Sequence, residues 1–134
     1  MKHQTLIIAV VLTLLLLPAL YNRAETTPPG TVQASAELLD KVSQQDWLLI
    51  DVRSAEEFAE GHIPGAINMP YDKIGEYVSS LRAYQNKPVV LYCRSGRRAR
   101  LAMEVLAEHQ FNDLRHLEGD MMGWYEAGLP IDQM

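Results

Sequence analysis

The sequence predicts an α/β domain, with a mostly parallel central sheet and helices on both faces. Three observations predict it. The stretches Trp47 to Val52 and Val89 to Tyr92 are nearly unbroken apolar runs, the pattern of strands buried on both sides of a parallel sheet. Helix-like segments separate the strand-like ones, and parallel neighbours need such crossovers. The second run stops at Cys93, and a short loop rich in arginine, serine and glycine follows before a helical pattern opens. A loop between the carboxyl end of a strand and the amino end of a helix is the usual ligand position in an open α/β sheet.

The chain begins with a targeting pattern over residues 1–24. Lys2 and His3 precede an apolar stretch from Leu6 to Leu20, broken only by Thr13 and Pro18. About 15 apolar residues fit a signal-peptide core, whereas a membrane span needs about 20. Ala24 is the expected last residue removed, although Asn22 then occupies a position that prefers a small side chain. An uncleaved anchor through residues 5–21 is the alternative. Either way the domain is expected to be exported to the periplasm, soluble after cleavage or tethered to the inner membrane, with Lys2 on the cytoplasmic side. Residues 25–31, rich in threonine, proline and glycine, form a linker. Residues 32–134 form one catalytic domain, expected to be monomeric.

Within that domain, Ser35 is placed to cap a short helix that buries Leu38, Leu39 and Val42. Trp47 to Val52 is the first strong strand. Ser54 and Glu57 make a capping box at the next helix start, each satisfying a backbone N–H of the other. Gly61, Pro64 and Gly65 then punctuate the chain before a short strand near Ala66 to Met69. Tyr71, Ile74, Tyr77, Val78 and Leu81 recur at helical spacing. After the Cys93 loop, Leu101, Ala102, Val105 and Leu106 line one face of a helix. A short strand, Leu114 to Leu117, precedes a last helix around Trp124 that Gly128 and Pro130 stop.

Composition narrows the function. The chain has a net charge of −5, with 12 basic and 17 acidic residues. Lys2 and Arg23 lie in the leader, so the rest is more acidic still. That balance argues against nucleic acid and anionic membrane surfaces as partners. Arg94, Arg97 and Arg98 make a positive spot on a negative body, suited to a small anion. A single cysteine allows no internal disulfide and no cysteine-rich metal site, and His3, His62, His109 and His116 have no ligand spacing. No metal or organic cofactor is expected.

The arginines also bear on the thiol. Cations at a helix start oppose its dipole, so their crowding there calls for an anion. A bound anion or a Cys93 thiolate satisfies it, and both the dipole and the guanidinium groups favour the thiolate. Cys93 is read as a nucleophile.

The residues resemble those of the rhodanese-like domain family. Leu49-Ile-Asp51-Val-Arg53-Ser-Ala-Glu-Glu57-Phe58 with Glu60-Gly-His62-Ile-Pro-Gly-Ala-Ile-Asn-Met-Pro70 is similar to its first signature. Val89-Val-Leu-Tyr-Cys93-Arg-Ser-Gly-Arg-Arg98 is similar to its active-site loop, and Leu117-Glu-Gly119 with Trp124 and Ala127-Gly-Leu-Pro130 to its closing segment. The likeness runs over residues 31–132 and extends to exported single-domain thiosulfate sulfurtransferases. It implies transfer of sulfane sulfur from thiosulfate or a similar donor, through a persulfide on Cys93, to cyanide or a thiol. Arg94 and Arg98 are then expected to hold donor oxygens by forked hydrogen bonds. Gly96 lets the loop fold tightly, and Ser95 contributes its backbone N–H. Arg97 either joins the binding loop or points to solvent.

Other matched positions carry two readings each. Asp51 orients the loop, or it is a structural partner of Arg53 or of turn amides. His62 carries protons or stabilises a turn. Trp124 is core or pocket wall, and Met121 and Met122 rim the pocket or fill the core. Ala99 stands where many members have serine, and Asp120 where a second glycine is common, a position that suits Asp less well if φ is positive.

Two rival functions differ in class. A persulfide carrier serving a protein partner would use the same cysteine. A cysteine-dependent phosphatase or arsenate reductase needs a longer loop, with its arginine six residues after the cysteine, where this chain has Ala99.

Overall fold

A computed structural model describes residues 30–134. The leader and most of the linker lie outside the described residues. The sheet has five strands in the order β1-β5-β4-β2-β3, and every pairing is parallel. They are β1 (Thr31–Val32), β2 (Leu48–Asp51), β3 (Ile67–Asn68), β4 (Val89–Tyr92) and β5 (Leu114–Leu117). The helices between them are α1 (Ala36–Ser43), α2 (Ala55–Glu60), α3 (Arg97–Glu108) and α4 (Asp120–Glu126).

The apolar runs act as the sequence predicts. All four residues of β2 and of β4 are buried, because successive side chains enter opposite layers. Leu48, Ile50, Val89, Leu91 and Cys93 pack on the side of Ala102 and Leu106 of α3. Leu49, Val90 and Tyr92 pack on the other side with Leu38 of α1 and Met121 and Trp124 of α4. Trp124 is fully buried, and its Nε1–H donates to the Pro130 carbonyl at 2.8 Å. It belongs to the core.

Two expectations are corrected. Composition extends the linker through Thr31, but Thr31 opens β1, whose register sets it beside His116. A two-residue edge strand has no periodicity to betray it. The segment after Pro70 is not an α-helix. It forms two 3₁₀ stretches, Tyr71–Tyr77 and Arg82–Tyr84. The apolar spacing explains this: Tyr71, Ile74 and Tyr77 recur every third residue, which is the 3₁₀ period and not 3.6.

Both sequence-predicted caps form. Ser35 Oγ accepts from the Leu38 N–H at 3.4 Å. Ser54 and Glu57 satisfy each other's backbone N–H at 3.2 and 3.0 Å. The second cap starts α2 just past the end of β2 and leaves Glu57 within reach of Arg98 at the start of α3.

Candidate active site

Cys93 follows β4 directly and continues its α3-side row, so the thiol is 2% exposed. The Gly96 N–H donates to Cys93 Sγ at 3.0 Å. Gly96 reaches that position with φ +117, a region that residues with a Cβ rarely enter. It is also the residue capping the start of α3, where no side chain takes up the helix's first N–H groups. Those donors remain for an anion.

The start of α4 holds the loop from behind. The N–H groups of Met121 and Met122 donate to the carbonyls of Cys93 and Arg94 at 3.0 and 3.3 Å. A trans peptide sets its C=O and N–H on opposite sides. Tying these carbonyls to α4 therefore turns the Arg94 and Ser95 N–H groups the other way. Asp120 completes the clamp, its Oδ1 accepting from the Cys93 N–H at 2.9 Å. The positive φ considered for Asp120 is present, at +54.

The charged residues fall into two sets. Arg98 does not point freely into the site: its Nη1 and Nη2 donate to Glu57 Oε2 and Oε1 at 2.7 and 3.0 Å. That fork holds the Glu57 carboxyl well below its usual range, at about 2, and keeps Arg98 firmly protonated. Asp51 is fully buried and receives Arg53 through its N–H, Nε and Nη2 at 2.9, 3.0 and 2.7 Å. Arg53 Nη2 also reaches the Gly61 carbonyl at 2.7 Å. Asp51 is thus the structural partner of Arg53. His62 stacks on Phe58 at 3.7 Å and bonds the Phe58 carbonyl through Nδ1 at 2.7 Å, which is the turn-stabilising geometry.

The second set is exposed. Arg94, Ser95 and Arg97 face solvent, and among the described residues no carboxylate pairs with the guanidinium groups of Arg94, Arg97 or Arg100. Two clefts flank the loop. One, of about 540 Å³, is lined by Ser95, Arg97, Arg100 and His116. The other, of about 390 Å³, lies between Arg94, Glu57, Met122 and Tyr125. Met121 is buried and Met122 is 46% exposed, so the first fills the core and the second rims a cleft. Ala99 is fully buried, and its methyl group closes the core below the loop where a hydroxyl was noted as missing. Among the described residues no three His, Cys, Asp or Glu side chains converge as metal ligands.

Sequence reasoning missed two participants. Glu57 was read only as a cap, and His116 as a scattered histidine. His116 Nε2 lies 2.9 Å from Asp120 Oδ1, four residues along. The one signal available was Asp120 itself, an acid in a place suited to glycine.

Residues 34–127 match the Rhodanese-like domain family. The chain belongs to that family. It is 36% identical over 87 residues to a sulfurtransferase of Allochromatium vinosum, covering 65% of this chain and 79% of that protein. It is 35% identical over 107 residues to an HTH-type transcriptional regulator of Mycobacterium tuberculosis, covering 78% of this chain but only 46% of the regulator. The human single-domain sulfurtransferase TSTD1 superposes with a TM-score of 0.62 at 27% identity, over 72% of this chain and 96% of that structure. Rhodanese domains thus occur both alone and within proteins of other names.

Proposed function

We propose that the domain is a sulfurtransferase that carries sulfane sulfur as a persulfide on Cys93, with thiosulfate or a similar small anion as donor. The observation that carries this reading is the Gly96 N–H on Cys93 Sγ at 3.0 Å. A backbone donor already aimed at the sulfur suits an anion there, as an oxyanion hole suits its oxygen. The likeness to named sulfurtransferases supports the same reading.

The proposed step is a displacement at sulfur. Cys93 thiolate attacks the outer sulfur of thiosulfate. The bond between the two sulfurs of the donor breaks, and sulfite leaves with the electron pair. The negative charge passes to the outer sulfur of the persulfide, within reach of the loop N–H groups. Cyanide or a thiolate then takes that sulfur and restores the Cys93 thiolate. Arg94, exposed at the mouth, and Arg97 at the start of α3 are placed to meet the donor oxygens. Arg98, locked in its fork with Glu57, holds the start of α3 beside the loop. The six-residue loop from Cys93 to Arg98 suits a sulfur atom better than a phosphoryl group.

A persulfide carrier for a protein acceptor is the second reading. Met122 and Tyr125, 46% and 50% exposed beside Arg94, favour it, since exposed apolar groups at a site mouth suit a protein surface. The domain is proposed to act in the periplasm as a monomer, freed or tethered by residues 1–24.

Intact mass of the purified protein before and after thiosulfate tests the chemistry. A gain of about 32 Da, lost on adding cyanide and absent in Cys93→Ala, is the expected result for a persulfide on the nucleophile. An unchanged mass with the thiol still free would remove thiosulfate as the donor.

A further inference from the structure

Asp120 is an unexpected residue to find beneath a sulfur anion. It is 2% exposed and sits at φ +54, where an L residue is strained and glycine is not. Its Oδ1 takes both the Cys93 N–H and His116 Nε2, each at 2.9 Å. The pair lies directly behind the loop: a Cβ built on Gly96 would meet Asp120 Oδ2 at 3.2 Å and His116 Cε1 at 3.4 Å. The N–H of the same glycine is on Cys93 Sγ.

This arrangement has an electrostatic consequence. A buried carboxylate beside the loop opposes a thiolate or persulfide on Cys93. An imidazolium at His116 cancels that opposition, and a neutral imidazole does not. The other charged groups facing His116 are Arg97 and Arg100 of α3, across the shared cleft. β1 brings no ionisable residue alongside, its two residues being Thr31 and Val32. α4 brings Asp120 alone.

We infer that Asp120 and His116 act together as a positioning pair that fixes the Cys93 amide and sets how strongly the loop holds an anionic sulfur. The inference rests on Cys93 being the reactive sulfur, and it goes beyond the transfer chemistry. In this chain, removing the negative charge at Asp120 should therefore strengthen the loop's hold on an anionic sulfur. A scaffold role alone predicts no such gain, since a variant that keeps the hydrogen bond leaves a scaffold unchanged and one that loses it lowers activity.

Three variants separate these outcomes: Asp120→Asn, His116→Gln and the double variant. Asn keeps an oxygen for the Cys93 N–H and tolerates a positive φ. The readouts are Cys93 alkylation by iodoacetamide over about pH 5 to 9, and kcat and KM for thiosulfate. For Asp120→Asn the alkylation curve is expected to move to lower pH by about half to one unit, with a lower KM, because a negative charge near the sulfur is gone. His116→Gln is expected to slow alkylation on the acid side. The double variant should follow Asp120→Asn, because His116 acts through the carboxylate. An Asp120→Asn curve that stays in place or moves to higher pH overturns the inference, as does a double variant whose curve is the sum of the two single-variant shifts. Alkylation needs no sulfur donor. Shifted curves without thiosulfate turnover would therefore retire the donor and keep the pair, and turnover with coincident curves would do the reverse.

Discussion

The charges on the two sides of Cys93 are organised in opposite ways. On the side of β2 and α2, every arginine that reaches the site is matched. Arg53 is locked on Asp51 and Arg98 on Glu57. On the loop and the first turn of α3, Arg94, Arg97 and Arg100 stand exposed, and no carboxylate among the described residues pairs with them. Half of the chain's eight arginines lie between positions 94 and 100, yet only Arg98 among those four is spoken for. The difference separates structure from function. Matched charges hold the walls of the site in place, and unmatched ones leave a local positive field that an acidic body does not cancel. Substitutions on the two sides should therefore fail in different ways.

The largest effect is expected at Arg53. Removing it strands the Asp51 carboxylate, which is fully buried, and leaves a single charge without its partner. Arg53→Ala should lose about 3–5 kcal/mol of stability, the usual result of breaking a buried pair from one side. Denaturant unfolding reads this directly, and a loss below about 1 kcal/mol would show that the pair is not a structural wall. Gly96→Ala, at the meeting point of the two sides, comes next. The new Cβ would stand 3.2 Å from Asp120 Oδ2 at a φ of +117. Strain of about 1–3 kcal/mol is expected, together with a fall in kcat of about 100-fold as the N–H leaves the sulfur. Full activity in that variant would mean the cradle tolerates displacement.

Glu57→Gln tests the partly exposed pair. Its loss should be smaller, about 1 kcal/mol at neutral pH, because solvent screens it. The sign of its pH dependence is set by the carboxyl. In the folded protein Glu57 titrates near 2, below its ordinary 4.5. The stabilisation is therefore complete above about pH 4.5 and is lost as pH falls towards 2. Unfolding curves of the two proteins should differ at pH 7 and converge across that window. A gap that persists at pH 2 would assign the effect to the Ser54 cap and not to Arg98.

The same contrast explains what could be read from the chain beforehand. The strands β2 and β4, the two serine caps and the Cys93 loop were legible because each is written in neighbouring residues. Continuous burial, a box spanning Ser54 to Glu57, and a thiol followed by arginines are all local patterns. The matched side was legible only where it too is local, as with Arg53 on Asp51 two residues away. Arg98 meets Glu57 across 41 positions, and the Cys93 N–H meets Asp120 across 27. Nothing in either neighbourhood selects the partner. An arginine in a binding loop reads the same whether a donor anion or a carboxylate receives it, and only the fold distinguishes Arg94 from Arg98.

The unmatched side should give the smallest change in stability and a clear change in binding. Arg94→Ala and Arg97→Ala remove exposed side chains with no partner to strand, so unfolding should move by no more than about 0.5 kcal/mol. Each nonetheless removes a charge-assisted contact to an anionic donor, typically about 1.5–3 kcal/mol where it forms. KM for thiosulfate should therefore rise at least about tenfold in each variant, while kcat, set by Cys93 and the loop amides, changes little. Because these groups are exposed, raising salt should weaken donor binding in the parent protein and narrow its difference from the variants. A KM that is indifferent to both substitutions and to salt would mean that the field is not used for the donor. The arginines would then be surface for a larger, acidic acceptor, and the same variants should weaken delivery of sulfur to a protein thiol instead.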